Sequence, residues 1–202
     1  MKRLLNLILL LIIPVLLYSQ DPGIYDQPET EQKQVIIPKI FLGPSLGINN
    51  ICGMIGFLAE VNIVKNFSLA GGVGVGFWGY KASLAGRYYN HYPRGVYYCL
   101  GISAASGYND ITYNLKVKPD SSMDVDMILH PAYNLNISIG YQFKIGKKNR
   151  LNLEIGYSLP LNNNLYEVKT PGVELTDESK QVMDLLTPGG LIIGMAFSFG
   201  IK

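Results

Sequence analysis

Charge is scarce in this chain. Asp, Glu, Lys and Arg together make up 16 % of its 202 residues, against 48 % for the apolar set. The formal net charge is +2, and setting aside Lys2 and Arg3 leaves fifteen residues of each sign. A neutral chain lacks the basic stripe that phosphate backbones require, so no nucleic-acid partner is expected. Histidine occurs twice, cysteine twice and tryptophan once. Two cysteines in an exported chain would suggest a disulfide at first sight. No Gly-x-Ser-x-Gly elbow is present. After Leu17 no stretch stays apolar for eighteen residues, so a membrane-spanning helix is not expected there.

What is present begins with an export pattern. Lys2 and Arg3 precede the apolar run Leu4–Leu17, and Tyr18-Ser19-Gln20 leads into the polar Asp21-Pro22-Gly23. This matches the charged, apolar and cleavage regions of a secretory signal peptide over residues 1–20, cut after Ser19 or Gln20. The run is about fourteen residues, short of the ~20 a spanning helix needs, although a retained anchor is the alternative. No cysteine marks a lipoprotein junction. Residues 21–37 carry Pro22, Pro28 and several charges, and read as a flexible periplasmic tail.

The strongest pattern is at the other end. Leu191, Ile193, Met195, Phe197, Phe199 and Ile201 alternate with Ile192, Gly194, Ala196, Ser198, Gly200 and Lys202. Strand side chains repeat every two residues, so one face is a band of large apolar groups and the other is mostly small. Large-out and small-or-polar-in suits hydrocarbon outside and a narrow lumen inside. The pattern recurs seven times upstream. Ile40–Asn49 comes first, with Asn49 inward, then Ile55–Ile63, Ser68–Trp78 and Lys81–Asn90. Val96–Ser103, Tyr133–Lys144 and Leu151–Leu159 follow, with Gly146–Arg150 as a hairpin turn. Residues 38–202 are therefore expected to form an all-β, eight-stranded antiparallel up-and-down transmembrane β-barrel.

The connections agree with that count. Those near Asn66, Tyr92–Gly95 and Gly146–Arg150 are short, whereas Gly107–Leu129 and Asn162–Pro188 are long. Both long ones fall on the side opposite the termini, the asymmetry of short periplasmic turns and longer external loops. Outward aromatics gather near both ends: Tyr88, Tyr98, Tyr141, Phe143 and Phe199 at one, Phe77 and Tyr133 at the other. Within the first long connection, Ile111, Tyr113, Leu115 and Val117 alternate up to Lys118–Ser122, and Met123, Val125, Met127 and Leu129 alternate after it. This predicts a projecting hairpin, out of phase with the preceding strand and so with a bulge near Ala104–Asp110. The second long connection predicts a helix over Asp177–Leu186, capped by Thr176. Its apolar face would be Val182, Leu185 and Leu186, serving as an external lid.

Four segments carry a resemblance to a family: Lys65-Asn66-Phe67-Ser68-Leu69-Ala70-Gly71-Gly72-Val73-Gly74, Arg87-Tyr88-Tyr89, Gly95-Val96-Tyr97-Tyr98 leading into Gly101, and Phe197-Ser198-Phe199-Gly200. In pattern and composition, Pro38–Lys202 resembles the PorT-like family of small outer-membrane barrels. The resemblance implies an outer-membrane barrel of unassigned molecular role. The closing Ile201-Lys202 departs from the terminal aromatic that most such barrels carry.

Site chemistry is sparse. Glu60, Arg87 and Glu154 fall on inward faces in the half nearer the termini, and Arg87 is expected to bridge one or both carboxylates as a structural polar cluster. The small inward faces of the third, fifth and eighth strands are expected to leave room for larger groups opposite, including Tyr89 and Gln142. Cys52 in the first external turn and Cys99 near the opposite end would lie beyond the ~7 Å Cα separation that a bridge tolerates, so no disulfide is expected. A lipid-modifying enzyme would want a serine with a histidine. His130 has Ser121 and Ser122 in the adjoining loop, and His91 sits at the wrong end. Asp120, Asp124 and Asp126 cluster without the glycine and glutamate of a calcium loop, and Gly71–Gly76 has no helix after it to make a phosphate cradle. No catalytic residue, metal or cofactor is assigned. The expectation is a non-enzymatic integral protein of the bacterial outer membrane, its termini periplasmic and its long loops extracellular. It would meet outer-membrane lipid, lipopolysaccharide, the insertion machinery and an unknown protein partner. An accessory of a protein export system and a lipid A-modifying enzyme are the alternatives.

Overall fold

The computed structural model describes residues 38–119 and 121–201. The signal peptide and tail expected over residues 1–37 lie outside the described residues, as do Asp120 and Lys202. Eleven strands and one helix follow in order: β1 Ile40–Asn50, β2 Gly53–Val64, β3 Phe67–Gly76, β4 Gly79–Tyr89, β5 Gly95–Ala105, β6 Tyr108–Val117, β7 Ser121–Leu129, β8 Ala132–Ile145, β9 Asn149–Pro160, β10 Tyr166–Val168, the helix α1 Asp177–Leu186, and β11 Gly190–Ile201. Eight of the strands close a barrel in the cyclic order β1-β2-β3-β4-β5-β8-β9-β11, every pair antiparallel.

The period-two pattern decides which way each strand faces. On β5, Tyr97, Cys99, Gly101 and Ser103 point into the lumen while Leu100 and Ile102 stand exposed outside. On β9, Asn152 and Ser158 are buried while Leu153, Ile155 and Tyr157 are exposed. The outer wall is thus an apolar belt, and the lumen holds the polar and small groups together with a few large ones such as Phe41, Leu58 and Ile192. Barrel closure pairs β1 with β11 from Ile40↔Ile201 to Ile48↔Ile193, leaving no strand edge open along the wall.

The longer connections both lie at the end opposite Ile40 and Ile201, here the loop end. Between β5 and β8 the chain breaks at Ser106 and at Gly107, whose φ is +71°. A Cβ there would fall 2.0 Å from the Leu129 carbonyl oxygen, so the hinge needs glycine. β6 and β7 then form the expected hairpin, with a register shift between Tyr108 and Ile111 inside or next to the anticipated bulge. The second long connection adds β10 to β7, giving a three-stranded sheet β10-β7-β6. Three residues with one bulky aromatic carry too little periodicity to reveal β10 in sequence.

Two expectations about the barrel are corrected. The first turn is not an external loop. β1 slips register between Leu46 and Asn50, with Asn49 at φ +51°, and this draws the tip Ile51-Cys52 into the lumen. Ile51 and Cys52 are both buried, in one apolar cluster with Leu58, Tyr89, Tyr97 and Cys99. The glycines of β3 therefore make room for backbone rather than only for side chains opposite. A Cβ on Gly72 would lie 2.5 Å from Ile51 O, and one on Gly74 2.3 Å from Cys52 O. The slip also makes Asn50 the buried polar group here, in place of the expected Asn49. The second correction is Arg150. It belongs to β9, which starts one residue earlier, and shares the parity of Asn152 and Glu154, so it points inward rather than lying in a turn.

Candidate functional site

The lumen nearer the termini is organised around a carboxylate. Glu60 on β2 is fully buried. Its Oε1 accepts from Ser68 Oγ and Tyr89 OH, both at 2.6 Å, and its Oε2 accepts from Arg87 Nη1 at 2.8 Å. Arg150 Nη2 lies 2.8 Å from Glu60 Oε1 without hydrogen-bond alignment, an electrostatic contact, while its Nη1 donates to Gln142 Oε1 at 3.0 Å. Arg87 also donates through Nη2 to Glu154 Oε2 at 3.0 Å. Glu154 takes further bonds from Tyr97 OH at 3.0 Å and Ser138 Oγ at 2.7 Å. Two guanidiniums and two carboxylates thus balance in charge. The guanidiniums also lie against rings, Arg150 at 3.4 Å from the Phe41 centroid and Arg87 at 5.0 Å from that of Tyr97.

This arrangement follows from strand register. Arg87 is the cross-strand neighbour of Ser68 on one side and Cys99 on the other, and Glu60 pairs with Ala70 on β3. Ala70 and Gly101 lack the bulk to screen these long side chains, so they meet across the lumen. Such a network is costly to desolvate and stays charged in low dielectric because every carboxylate oxygen accepts at least one hydrogen bond, although Arg87 Nε and Arg150 Nε donate none. The structure brings together the expected Glu60, Arg87 and Glu154. Arg150 was missed, although its parity with Glu154 was the available signal.

The same region is tightly filled. A pocket of about 10 Å³ lies among Ser45, Asn50, Ile51, Arg87, Asn152 and Glu154, room for about one water. The inturned Ile51-Cys52 tip fills the lumen beside it. Cys52 and Cys99 are free thiols in this one buried cluster.

A second apolar core caps the loop end. Trp78, Ala105 and Ala132 on the barrel rim join Leu115, Val117, Val125, Met127 and Leu129 of the hairpin, together with Leu165, Leu175 and Met183. Trp78 Nε1 donates to the His130 carbonyl at 2.9 Å. The helix α1 has Thr176 as N-cap, with Asp177 and Glu178 in the first turn. Its seating corrects the expected lid face. Ser179 and Met183 are the buried residues, whereas Val182 is 48 % and Leu185 84 % exposed, with Leu186 only partly covered. The reason is local. Ser179 Oγ donates to Lys116 O at 2.8 Å and accepts from Lys116 N at 3.0 Å, which fixes the first turn against β6. Met183, four residues on, then faces the hairpin, and Leu185 is rotated away.

Outside the barrel, Lys118 donates to Glu174 at 2.6 Å and Lys116 to Glu178 at 2.8 Å. These hydrogen bonds hold both carboxyls below their ordinary pKa. Ser121 and His130 stand at opposite ends of β7, roughly 30 Å apart at ~3.3 Å per residue, too far for a nucleophile and its base. Asp124 and Asp126 accept from Asn114 and Thr112 across the hairpin. Among the described residues no group of His, Cys, Asp or Glu could hold a metal ion. Gly71–Gly76 lies within β3. No family model matches the chain, and no curated protein matches it, so the fold and these two assemblies carry the functional argument.

Proposed function

We propose that the chain is an integral outer-membrane β-barrel of the PorT-like type, exported by a cleaved signal, that spans the membrane with a sealed lumen and presents its loop-end cap to the outside. The observation that carries this reading is the outer wall. Ile55, Val73, Leu84, Leu100, Ile102, Ile155 and Ile193 are all substantially exposed, on six different strands around the barrel. A belt of that extent is costly in water and is satisfied by hydrocarbon. Tyr88, Tyr98, Phe143 and Phe199 rim one end of it and Phe77, Tyr80 and Tyr133 the other, where rings keep one wet edge.

On this reading the role is non-enzymatic. The termini face the periplasm, lipid and lipopolysaccharide surround the belt, and the three-stranded sheet with α1 is the surface offered to partners. The Glu60–Arg87–Glu154–Arg150 network is structural, fixing strand register from inside. Cell fractionation tests the proposal. The processed protein is expected in the outer-membrane fraction, migrating faster on gels before heating than after. Recovery as a soluble periplasmic protein would overturn it.

A further inference from the structure

Between the cap and the barrel rim runs a groove of about 290 Å³. Its apolar lining includes Ile48, Met54, Phe77 and Trp78 from the barrel, Leu185 from the end of α1 and Pro188 just beyond it. Leu185, Ile48, Met54 and Phe77 are exposed, so no element of the described chain covers this apolar surface. At the groove lies Lys81, whose side chain points inward and is only 7 % exposed. Its ammonium donates one hydrogen bond, to Asn49 O at 2.9 Å. Among the described residues no carboxylate lies within 4.0 Å of it, because Glu60 and Glu154 are committed to the arginines further down. A lysine so buried and without an ion pair is unusual, since burial of an ammonium is normally offset by an anion in contact with it.

We infer that this groove binds a single long-chain fatty acid, its carboxylate against Lys81 and its chain along Ile48, Met54, Phe77, Trp78 and Leu185. Three observations select that occupant. The cation asks for an anion, and the two remaining N–H donors match one carboxylate. The apolar lining asks for hydrocarbon. The volume sits at the low end of the ~300–1,000 Å³ range of ligand pockets, suiting one chain rather than a multi-chain lipid. The inference rests on the membrane reading to the extent that Ile48 and Phe77 belong to the lipid-facing belt, so the chain enters from the outer leaflet side. Leu185, otherwise an unexplained exposed leucine, becomes the outer wall of the site.

Trp78 makes the test direct, because it is the chain's single tryptophan and lines the groove. The full-length processed protein, held in amphipol, is titrated with a dibrominated stearate while Trp78 emission is followed. The uncharged methyl ester of the same acid serves as control. Saturable quenching by the acid is expected, with the ester binding about tenfold more weakly, the scale of one charge-assisted hydrogen bond. Lys81→Met should weaken the acid to the level of the ester. Leu185→Gln, at an exposed position that does not bear on folding, should weaken acid and ester alike. Heat-modifiability of each variant reports that the barrel is intact. Linear, unsaturable quenching that is the same for acid, ester, wild type and Leu185→Gln would overturn the fatty-acid site. If the protein then still fractionates with the outer membrane, the ligand inference alone has failed.

Discussion

Removing the charge of Arg87 should weaken the barrel far more than removing a charge from its surface. In Arg87→Met, Glu60 keeps Arg150, Ser68 and Tyr89, but Glu154 is left with only the hydroxyls of Tyr97 and Ser138. Leaving a buried carboxylate without its cation costs about 3–5 kcal/mol. A domain of this size loses ~2–4 °C of transition temperature per kcal/mol, so the midpoint should fall by about 6–20 °C. Lys147 lies in the Gly146–Lys148 turn between β8 and β9, and Lys147→Met should stay within about 0.5 kcal/mol of wild type. The assay is the temperature at which the fast-migrating folded band converts to the unfolded band. Arg150→Met should resemble Arg87→Met, since Arg150 is equally buried beside Glu60. Equal midpoints for Arg87→Met and Lys147→Met would refute the argument, because the network would then contribute nothing to stability.

Gly72→Val should prevent folding, since its Cβ would collide with the Ile51 carbonyl, whereas Gly71→Ala, with its nearest neighbour 3.8 Å from the new Cβ, should fold normally; refolding yield on gels compares them. Cys52 and Cys99 should both resist a bulky maleimide until the protein is unfolded, and mobility should not change with reductant. Met183→Ala should loosen the cap by about 2–5 kcal/mol while Leu185→Ser leaves it intact, read from protease cleavage within residues 162–188. The Glu174 and Glu178 carboxyls are held below their ordinary value of 4.5 in the folded chain, so their contribution is full above that pH and is lost as pH falls below it. Cleavage of the same connection should therefore rise below about pH 4.5, and the double Gln variant should show no such dependence.

The fold was readable because barrel strands obey one rule, alternation, and every strand of the wall repeats it over many residues. The hairpin and α1 were readable for similar reasons, a second alternating phase and a capped, acid-led helix start. What escaped depended on departures from regularity. Nothing in Asn49–Gly53 announces that β1 will slip by more than one residue, so the first turn read as external when it is in fact a plug. Arg150 escaped because a charge beside Gly146-Lys147-Lys148 looks like turn chemistry, although its parity pointed inward. For α1, the apolar residues Val182, Leu185 and Leu186 indicated a face, but the Ser179 bond to β6 sets the rotation, and a buried serine leaves no trace in an apolar pattern.

The central claim is that the apolar outer wall is solvated by lipid, and refolding tests it most directly. The processed chain, unfolded in urea, is diluted either into phospholipid vesicles or into plain buffer, and its gel migration before and after heating is compared. The account predicts a heat-modifiable, membrane-bound β-barrel in vesicles and an aggregated, unmodifiable chain in buffer. A soluble, folded monomer in buffer without lipid or detergent would contradict it.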